Sequence, residues 1–143
     1  MSTNDALAAA ADAENAAVFT YGVITAFVAA ARRDMLVEFI ADHRGARDTV
    51  NAAITAGGGT PPVAAAGYTL PQPVTDPVSA AKAALTSEVD CTRAYRALLE
   101  QADSGAGRTI GVNGLTASAR RAAQWRVVLG QRPATVAFPG AAG

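Results

Sequence analysis

Two glutamates and two tyrosines recur at one spacing in the two halves of the chain, and together they could build a buried polar site. Glu14 precedes Tyr21 by seven residues, and Glu88 precedes Tyr95 by the same distance. Seven residues are about two helical turns, so each carboxylate shares one helix face with its tyrosine. Apolar residues at spacings of three and four surround both pairs, which predicts that this face points into a helical core. Carboxylates held there can bind a cation or pair with basic side chains.

Basic and amide side chains interrupt the apolar stripes of two further helical segments. His43 and Arg47 lie on one of these stripes, and Arg121 and Gln124 lie on the other. Three pairs of identical residues are 74 positions apart, namely Glu14 and Glu88, Tyr21 and Tyr95, and Arg47 and Arg121. This repeat indicates a duplicated helical hairpin. It predicts that the two glutamates face each other in the core and pair with the two arginines, because like charges need compensation in a dry site.

Four helices are predicted to position these residues, over residues 4–31, 34–56, 77–102 and 108–129. Asp34 is expected to cap the second helix, and Asp76 followed by Pro77 is a strong start signal for the third. A proline- and glycine-rich connection covers residues 57–76, and a non-helical tail covers residues 131–143. We therefore expect one domain over residues 1–143, which is long enough to bury its own core.

The connection over residues 57–76 is unusually long for a helical bundle. A stretch of this size can reach about 66 Å when extended, whereas helices of the predicted lengths are roughly 35 Å long. The connection can therefore run the length of the bundle and join a second and a third helix that are parallel. The predicted fold is all-α, an antiparallel four-helix bundle with one long crossover, which is the ferritin-like connectivity.

The composition excludes several classes of function. Lys and Arg together number 12, as do Asp and Glu. The chain therefore lacks the excess of positive charge that would indicate a nucleic-acid partner. Cys91 is the single cysteine, which excludes an internal disulfide and leaves no cysteine-based metal or redox motif. The first residues lack the features of a signal peptide, and the most apolar run, residues 16–31, is too short and too interrupted to span a membrane. We expect a cytoplasmic protein with no membrane partner.

Several segments resemble an uncharacterised, alanine-rich ferritin-like family of high-GC bacteria, within the ferritin-like superfamily. They are AENAAVFTYGV, DHRGARD, YTLPQPVTDPVSA, RRAAQWR and the terminal AFPG, and together they cover most of the chain. The last three are the more specific ones. The resemblance implies a ferritin-like bundle, and it implies a homodimer because ferritin-like proteins commonly pair.

The resemblance also implies where a metal centre would be. In the superfamily, helices one and three each supply a Glu with a downstream tyrosine, and helices two and four each supply Glu-x-x-His. Glu14 and Glu88 match by position, but no Glu-x-x-His occurs in this chain. We expect a degenerate di-iron site without cofactor, in which Arg47 and Arg121 occupy the space of the metals. The fallback is a single iron or zinc ion held by Glu14, His43 and Glu88.

Three functional hypotheses remain open on the sequence. The leading one is a non-catalytic structural or ligand-binding homodimer. The second is an oxidoreductase or hydrolase with one metal ion, iron or zinc. The third is a protein-interaction module that uses the proline-rich connection and the AFPG tail, since extended proline-rich segments are common docking elements. The sequence identifies neither the substrate nor the pathway.

Overall fold

The computed structural model describes residues 1–142, which form four long helices and no strand. Helix α1 covers Thr3–Ile24, α2 covers Arg33–Ala56, α3 covers Pro77–Gln101 and α4 covers Gly105–Val128. A short 3-10 helix, Ala30–Arg32, precedes α2. The predicted all-α four-helix bundle with one long crossover between α2 and α3 is confirmed. Within the described residues, every helix is too short or too polar to cross a lipid bilayer.

Side-chain caps fix the beginnings of three helices. Ser2 caps α1 in a reciprocal arrangement with Asp5, and Asp76 caps α3 in the same way with Ser79. Ser104 accepts a hydrogen bond from the backbone N–H of Gly107 and so caps α4. These hydroxyl and carboxylate oxygens accept from N–H groups that have no partner within the helix.

Two predictions around the first turn were wrong. Helix α1 ends at Ile24 rather than at residue 31, because the backbone N–H groups of Phe27 and Val28 both bond to the Ile24 carbonyl and turn the chain. Asp34 does not cap α2, since the helix begins at Arg33 and its first turn contains Asp34. In that position the carboxylate still interacts favourably with the positive end of the helix dipole.

The four helices pack as a bundle in which one neighbouring pair, α2 and α4, is in sparse contact. Helix α1 packs on α2 and α3, and α4 packs closely on α3 but only sparsely on α2. Two glycines make the α3–α4 approach close: a Cβ on Gly114 would lie 2.3 Å from the ring of Tyr95, and one on Gly111 would lie 2.7 Å from Leu99. The sparse α2–α4 side leaves a cleft that leads towards the bundle interior.

The crossover, residues 57–76, lies against the bundle. Tyr68 packs on Phe19 of α1 with ring centroids 5.6 Å apart, and Val74 packs on a buried apolar cluster that includes Leu36 and Trp125. These apolar side chains hold the connection on the surface of the bundle as it passes from α2 to α3.

Candidate functional site

A buried histidine connects the two glutamates in the centre of the bundle. Nδ1 of His43 lies 2.6 Å from Oε2 of Glu14, and Nε2 lies 2.7 Å from Oε1 of Glu88. The side chains of His43 and both glutamates have no exposed surface. An ionised carboxylate can only accept a hydrogen bond, so both ring nitrogens must carry a proton. His43 is therefore an imidazolium ion that joins α2 to α1 and α3.

The pKa of His43 agrees with this geometry. Burial lowers the pKa, but the hydrogen bonds and charges of Glu14 and Glu88 outweigh it and raise the pKa from 6.5 to about 9. The positive charge on the ring is thus maintained at neutral pH by two negative neighbours.

Each glutamate also accepts a hydrogen bond from the tyrosine of the other hairpin. The hydroxyl of Tyr95 donates to Oε1 of Glu14 at 2.6 Å, and the hydroxyl of Tyr21 donates to Oε1 of Glu88 at 2.7 Å. Burial, followed by the charge of the neighbouring glutamate, raises the pKa of both tyrosines. Both hydroxyls therefore remain neutral donors. The repeated Glu and Tyr positions of the two halves meet as a crossed pair of hydrogen bonds between α1 and α3.

Arg121 of α4 supplies the second positive charge. Its Nε lies 3.0 and 3.1 Å from the two carboxylate oxygens of Glu88, and its Nη2 donates to Oγ of Ser118 at 3.3 Å. A third contact reaches Asp42, 3.7 Å away at the half-exposed edge of α2. Burial lowers the pKa of Arg121, but Glu88 outweighs it, so the guanidinium stays charged. Two carboxylates are thus balanced by one imidazolium and one guanidinium.

Trp125 extends the network beyond the charged groups. Its indole Nε1 donates to the hydroxyl of Tyr21 at 2.7 Å, and that hydroxyl in turn donates to Glu88. The rings of Trp125 and Phe39 pack around Tyr21. This donor fixes the direction in which the Tyr21 hydroxyl points, because the oxygen accepts from the indole and must donate to the carboxylate.

The structure brings together six of the eight residues that were predicted to form the polar cluster. These six are Glu14, Tyr21, His43, Glu88, Tyr95 and Arg121. We refer to them as the core network.

The other two predicted members lie outside the core network. Arg47 is partly exposed and bonds to Asp48, so the predicted pair with Glu14 does not form. It lies about 40° round α2 from His43, at the edge of the buried stripe, where a long side chain can turn to water. Gln124 is exposed. It lies about 120° round α4 from the buried Ser118. The idealised stripes phased these two positions incorrectly.

Sequence reasoning missed the contribution of Cys91. The thiol is fully buried and lies 3.7 Å from the Ala13 carbonyl. Ligand atoms of Cys91, Glu14 and His43 lie within 4.8 Å of one another. Cys91 follows Glu88 by three residues, so the shared helix face was readable from the spacing. Burial and the charge of Glu14 raise the pKa of the thiol, which therefore stays protonated.

The core network does not fit a centre with two metal ions. A di-iron carboxylate site takes four carboxylates and two histidines from the four helices. Here α2 supplies His43, whose two nitrogens are both occupied, and α4 supplies Arg121, whose fixed charge repels a divalent cation. One cation could be held by Glu14, His43 and Cys91 if the ring and the thiol each lost a proton.

A cleft between α2 and α4 reaches in to the buried side chains of the core network. It has a volume of about 460 Å³, and Glu14, Tyr95 and Arg121 of the core network line it together with Asp42 and Asn113. The cleft follows from the sparse packing of α2 on α4. Small molecules of ordinary ligand size could enter such a space.

Comparisons with known proteins give a family and a fold. A family model described as "Domain of unknown function (DUF4439)" matches residues 6–143. The chain is 35% identical to a conserved hypothetical protein from Mycobacterium tuberculosis, with a TM-score of 0.86 over 88% of this chain and 96% of that one. No curated protein matches the chain.

More distant structures share the fold alone. A dodecameric thioferritin, the bacterioferritin-related protein of Bacteroides fragilis, is 20% identical, with a TM-score of 0.76 over 90% of this chain and 84% of that one. Dps from Listeria monocytogenes is 11% identical, with a TM-score of 0.77 over 92% and 95%. The expected ferritin-like fold is confirmed by these likenesses.

Proposed function

We propose that this chain, which belongs to the family described as "Domain of unknown function (DUF4439)" and has the ferritin-like fold, is a non-catalytic, metal-independent binding protein that acts as a homodimer. In this proposal, the ion pairs of the core network take the place that the metal ions have in a ferritin-like oxidase. The four-helix bundle then serves as a scaffold for binding. The core network stabilises the helices that carry the binding surfaces.

This proposal rests on His43, whose two ring nitrogens are both hydrogen-bonded to carboxylates. A metal ligand needs a free lone pair on one ring nitrogen, and both nitrogens of His43 donate to carboxylates at 2.6 and 2.7 Å. The core network is electrically neutral, with two carboxylates against His43 and Arg121. Adding a divalent cation to it would break this balance and place two positive charges beside a buried guanidinium.

Elemental analysis tests the proposal directly. Protein expressed in medium supplemented with iron and zinc, then purified without chelator, should contain far less than one equivalent of any transition metal. Arg47→Gln, which changes a side chain outside the core network, serves as the control and should give the same result. Stoichiometric metal that is lost in Glu14→Gln but kept in Arg47→Gln would overturn the proposal.

The convergence of three donor atoms favours one alternative, a site for a single metal ion. Glu14, His43 and Cys91 have the donor types that zinc and iron accept. Such a site would supply Lewis-acid or redox chemistry beside the α2–α4 cleft, which Glu14 lines. If it exists, Cys91→Ala should release metal as Glu14→Gln does, whereas a metal-free core network predicts that neither variant changes the metal content.

A homodimer is the assembly that we propose. The thioferritin that shares this fold is dodecameric, so bundles of this type can present faces to other copies. Exposed valines occur on three of the four helices: Val37 on α2, Val78 on α3, and Val112 and Val127 on α4. Apolar side chains of this kind lose contact with water when two copies associate.

A further inference from the structure

A second cleft lies on the opposite side of α4 from the core network, under the C-terminal tail. It has a volume of about 550 Å³ and is formed by α3, α4 and the tail, which we define as residues 131–142. Clefts that hold small molecules in proteins commonly have volumes of a few hundred to about a thousand Å³. No residue of the core network lines this tail cleft.

The tail is fixed against the bundle at two points. Gly140 has a positive φ of 76°, and a Cβ there would lie 2.3 Å from the carbonyl oxygen of Thr92. Only glycine allows this backbone to approach α3 so closely. Nearer to α4, Nη1 of Arg126 donates to the carbonyl of Ala134 at 3.3 Å. The tail therefore forms a positioned wall of the cleft.

The cleft has an apolar interior with an uncovered aromatic ring. Val89 of α3, Leu115 of α4 and Val136 of the tail line it. Phe138 also lines it, and 74% of this residue is exposed. An apolar group bound in the cleft would cover this ring and remove its surface from water.

Positive charge surrounds this apolar interior. Arg93, Arg120 and Arg126 line the cleft, and no acidic side chain does so among the residues that the structure describes. Arg93 pairs with Asp90 through Nη1, and Arg126 uses Nη1 on the tail carbonyl. Arg120 makes no side-chain hydrogen bond or ion pair with residues 1–142, so its guanidinium has all its donors free. A planar guanidinium of this kind binds carboxylate, sulfonate or phosphate oxygens in a bidentate manner.

We propose that the tail cleft binds a small anionic amphiphile, a molecule with an apolar body and one acidic head group. The body lies on Val89, Leu115 and Phe138, and the head group pairs with Arg120 and Arg126. This site goes beyond the proposed function of the core network. It depends only on α3, α4 and the tail, so a metal ion bound at the core network would leave the inference unaffected.

Two fluorescent dyes of the same shape separate the contributions of charge and apolar surface. 1-Anilinonaphthalene-8-sulfonate carries an acidic head group, and N-phenyl-1-naphthylamine is the same aromatic body without it. The full chain should bind the sulfonate dye with a stoichiometry of one and at least about tenfold more tightly than the neutral dye, as expected for a charge-assisted contact. Decanoate, another anionic amphiphile, should displace the sulfonate dye.

Three variants locate the binding site. Arg120→Gln should weaken binding of the sulfonate dye about tenfold and leave binding of the neutral dye unchanged. Phe138→Ala should weaken both dyes, because it removes apolar surface. Arg108→Gln, an exposed arginine of α4 outside the cleft, is the matched control and should change neither.

The alternatives give different patterns. Equal affinity for the two dyes would overturn the inference, because binding would then reflect hydrophobicity alone. An equal loss of sulfonate-dye affinity in Arg108→Gln and Arg120→Gln would also overturn it, because binding would then reflect the general charge of the surface. A parallel loss of both dyes in Arg120→Gln would also overturn it. Circular dichroism of each variant, with unchanged helix content, separates these outcomes from a loss of folding.

Discussion

Arg121 gives the sharpest test of the core network, because it can be replaced by an apolar residue of similar length. In Arg121→Met the methionine can fill the space of the aliphatic part of the side chain. The change leaves Glu88 and Glu14 with only the charge of His43 to balance them. Glu88 is completely buried and loses two contacts of 3.0 and 3.1 Å. The variant therefore contains one uncompensated negative charge in the core.

Breaking a buried ion pair in this way typically costs about 3 to 5 kcal/mol. We expect a loss near the lower value, since Tyr21 and His43 still donate to the Glu88 carboxylate. A loss of about 3 kcal/mol corresponds to a fall of roughly 10 °C in the melting temperature of a chain of this size. The single variant Glu88→Gln should cost less, because the guanidinium can turn towards the half-exposed Asp42.

The double variant Arg121→Met with Glu88→Gln restores neutrality. Glu14 and His43 then balance each other, and the amide oxygen of the glutamine can still accept from Tyr21 and His43. We expect it to be more stable than the sum of the single losses predicts, with a coupling of about 2 kcal/mol or more. Urea unfolding followed by the fluorescence of Trp125, the single buried tryptophan, measures all four free energies of unfolding.

A surface pair provides the control for this cycle. Arg96 bonds to Glu100 at 3.0 Å on an exposed face of α3, so Arg96→Met should cost only about 0.5 kcal/mol. Additive losses in the cycle of Arg121 and Glu88 would refute the reasoning, since they would mean that the two charges do not depend on each other. A cost for Arg121→Met as small as that of Arg96→Met would refute it equally.

Three further predictions concern pH, packing and assembly. Because the folded state raises the pKa of His43 from 6.5 to about 9, its stabilisation is complete below pH 6.5 and is lost as the pH rises towards 9. The free energy of unfolding should fall by about 2 kcal/mol between pH 6 and pH 8.5, and His43→Gln, which removes the single histidine, should abolish this dependence. In Gly114→Ala the new methyl group would meet the ring of Tyr95, so thermal melting should show a loss of about 1 to 3 kcal/mol. Gly45→Ala, where the Cβ meets no atom within 4 Å, should instead stabilise α2 by roughly 0.5 to 1 kcal/mol. Sedimentation equilibrium at micromolar concentration should give the mass of a dimer, and a monomer mass throughout would contradict the proposed assembly.

The start of α3 was predictable because two side chains mark it. Asp76 and Pro77 begin α3 as the sequence predicts, because the cap and the proline act locally. No glycine or proline follows directly after Ile24, where α1 ends, and Gly22 lies inside the last turn of the helix. The end of α1 is set by tertiary packing, since the turn after Ile24 allows Val28 to join the buried apolar cluster that contains Leu36. The apolar periodicity of the sequence continues past this turn, so a prediction based on periodicity alone extends the first helix through it.

The site was predictable along α1 and α3 and less so along α2 and α4. The repeated Glu and Tyr spacing singled out the residues that form the crossed hydrogen bonds. On α2, however, His43 and Arg47 are one turn apart, and an idealised stripe cannot decide which of them points inward. That choice depends on how α2 leans on α1, which is a property of the folded bundle. The same uncertainty of phase explains the exposed position of Gln124 on α4.

The core network follows the sequence repeat on α1 and α3 but departs from it on α2 and α4. On α1 and α3 the two halves make equivalent bonds, each tyrosine reaching the glutamate of the other. On α2 and α4 the positive charge comes from His43 in one half and from Arg121 in the other, at positions that are not equivalent in the repeat. A histidine can bridge two carboxylates with its two nitrogens, whereas the guanidinium binds both oxygens of one. Of the two glutamates Arg121 bonds only to Glu88, so His43 is the basic side chain that connects Glu14 to Glu88. The unequal pair joins α1, α2, α3 and α4 into a single neutral network, and this explains why a symmetric sequence repeat supports an asymmetric core.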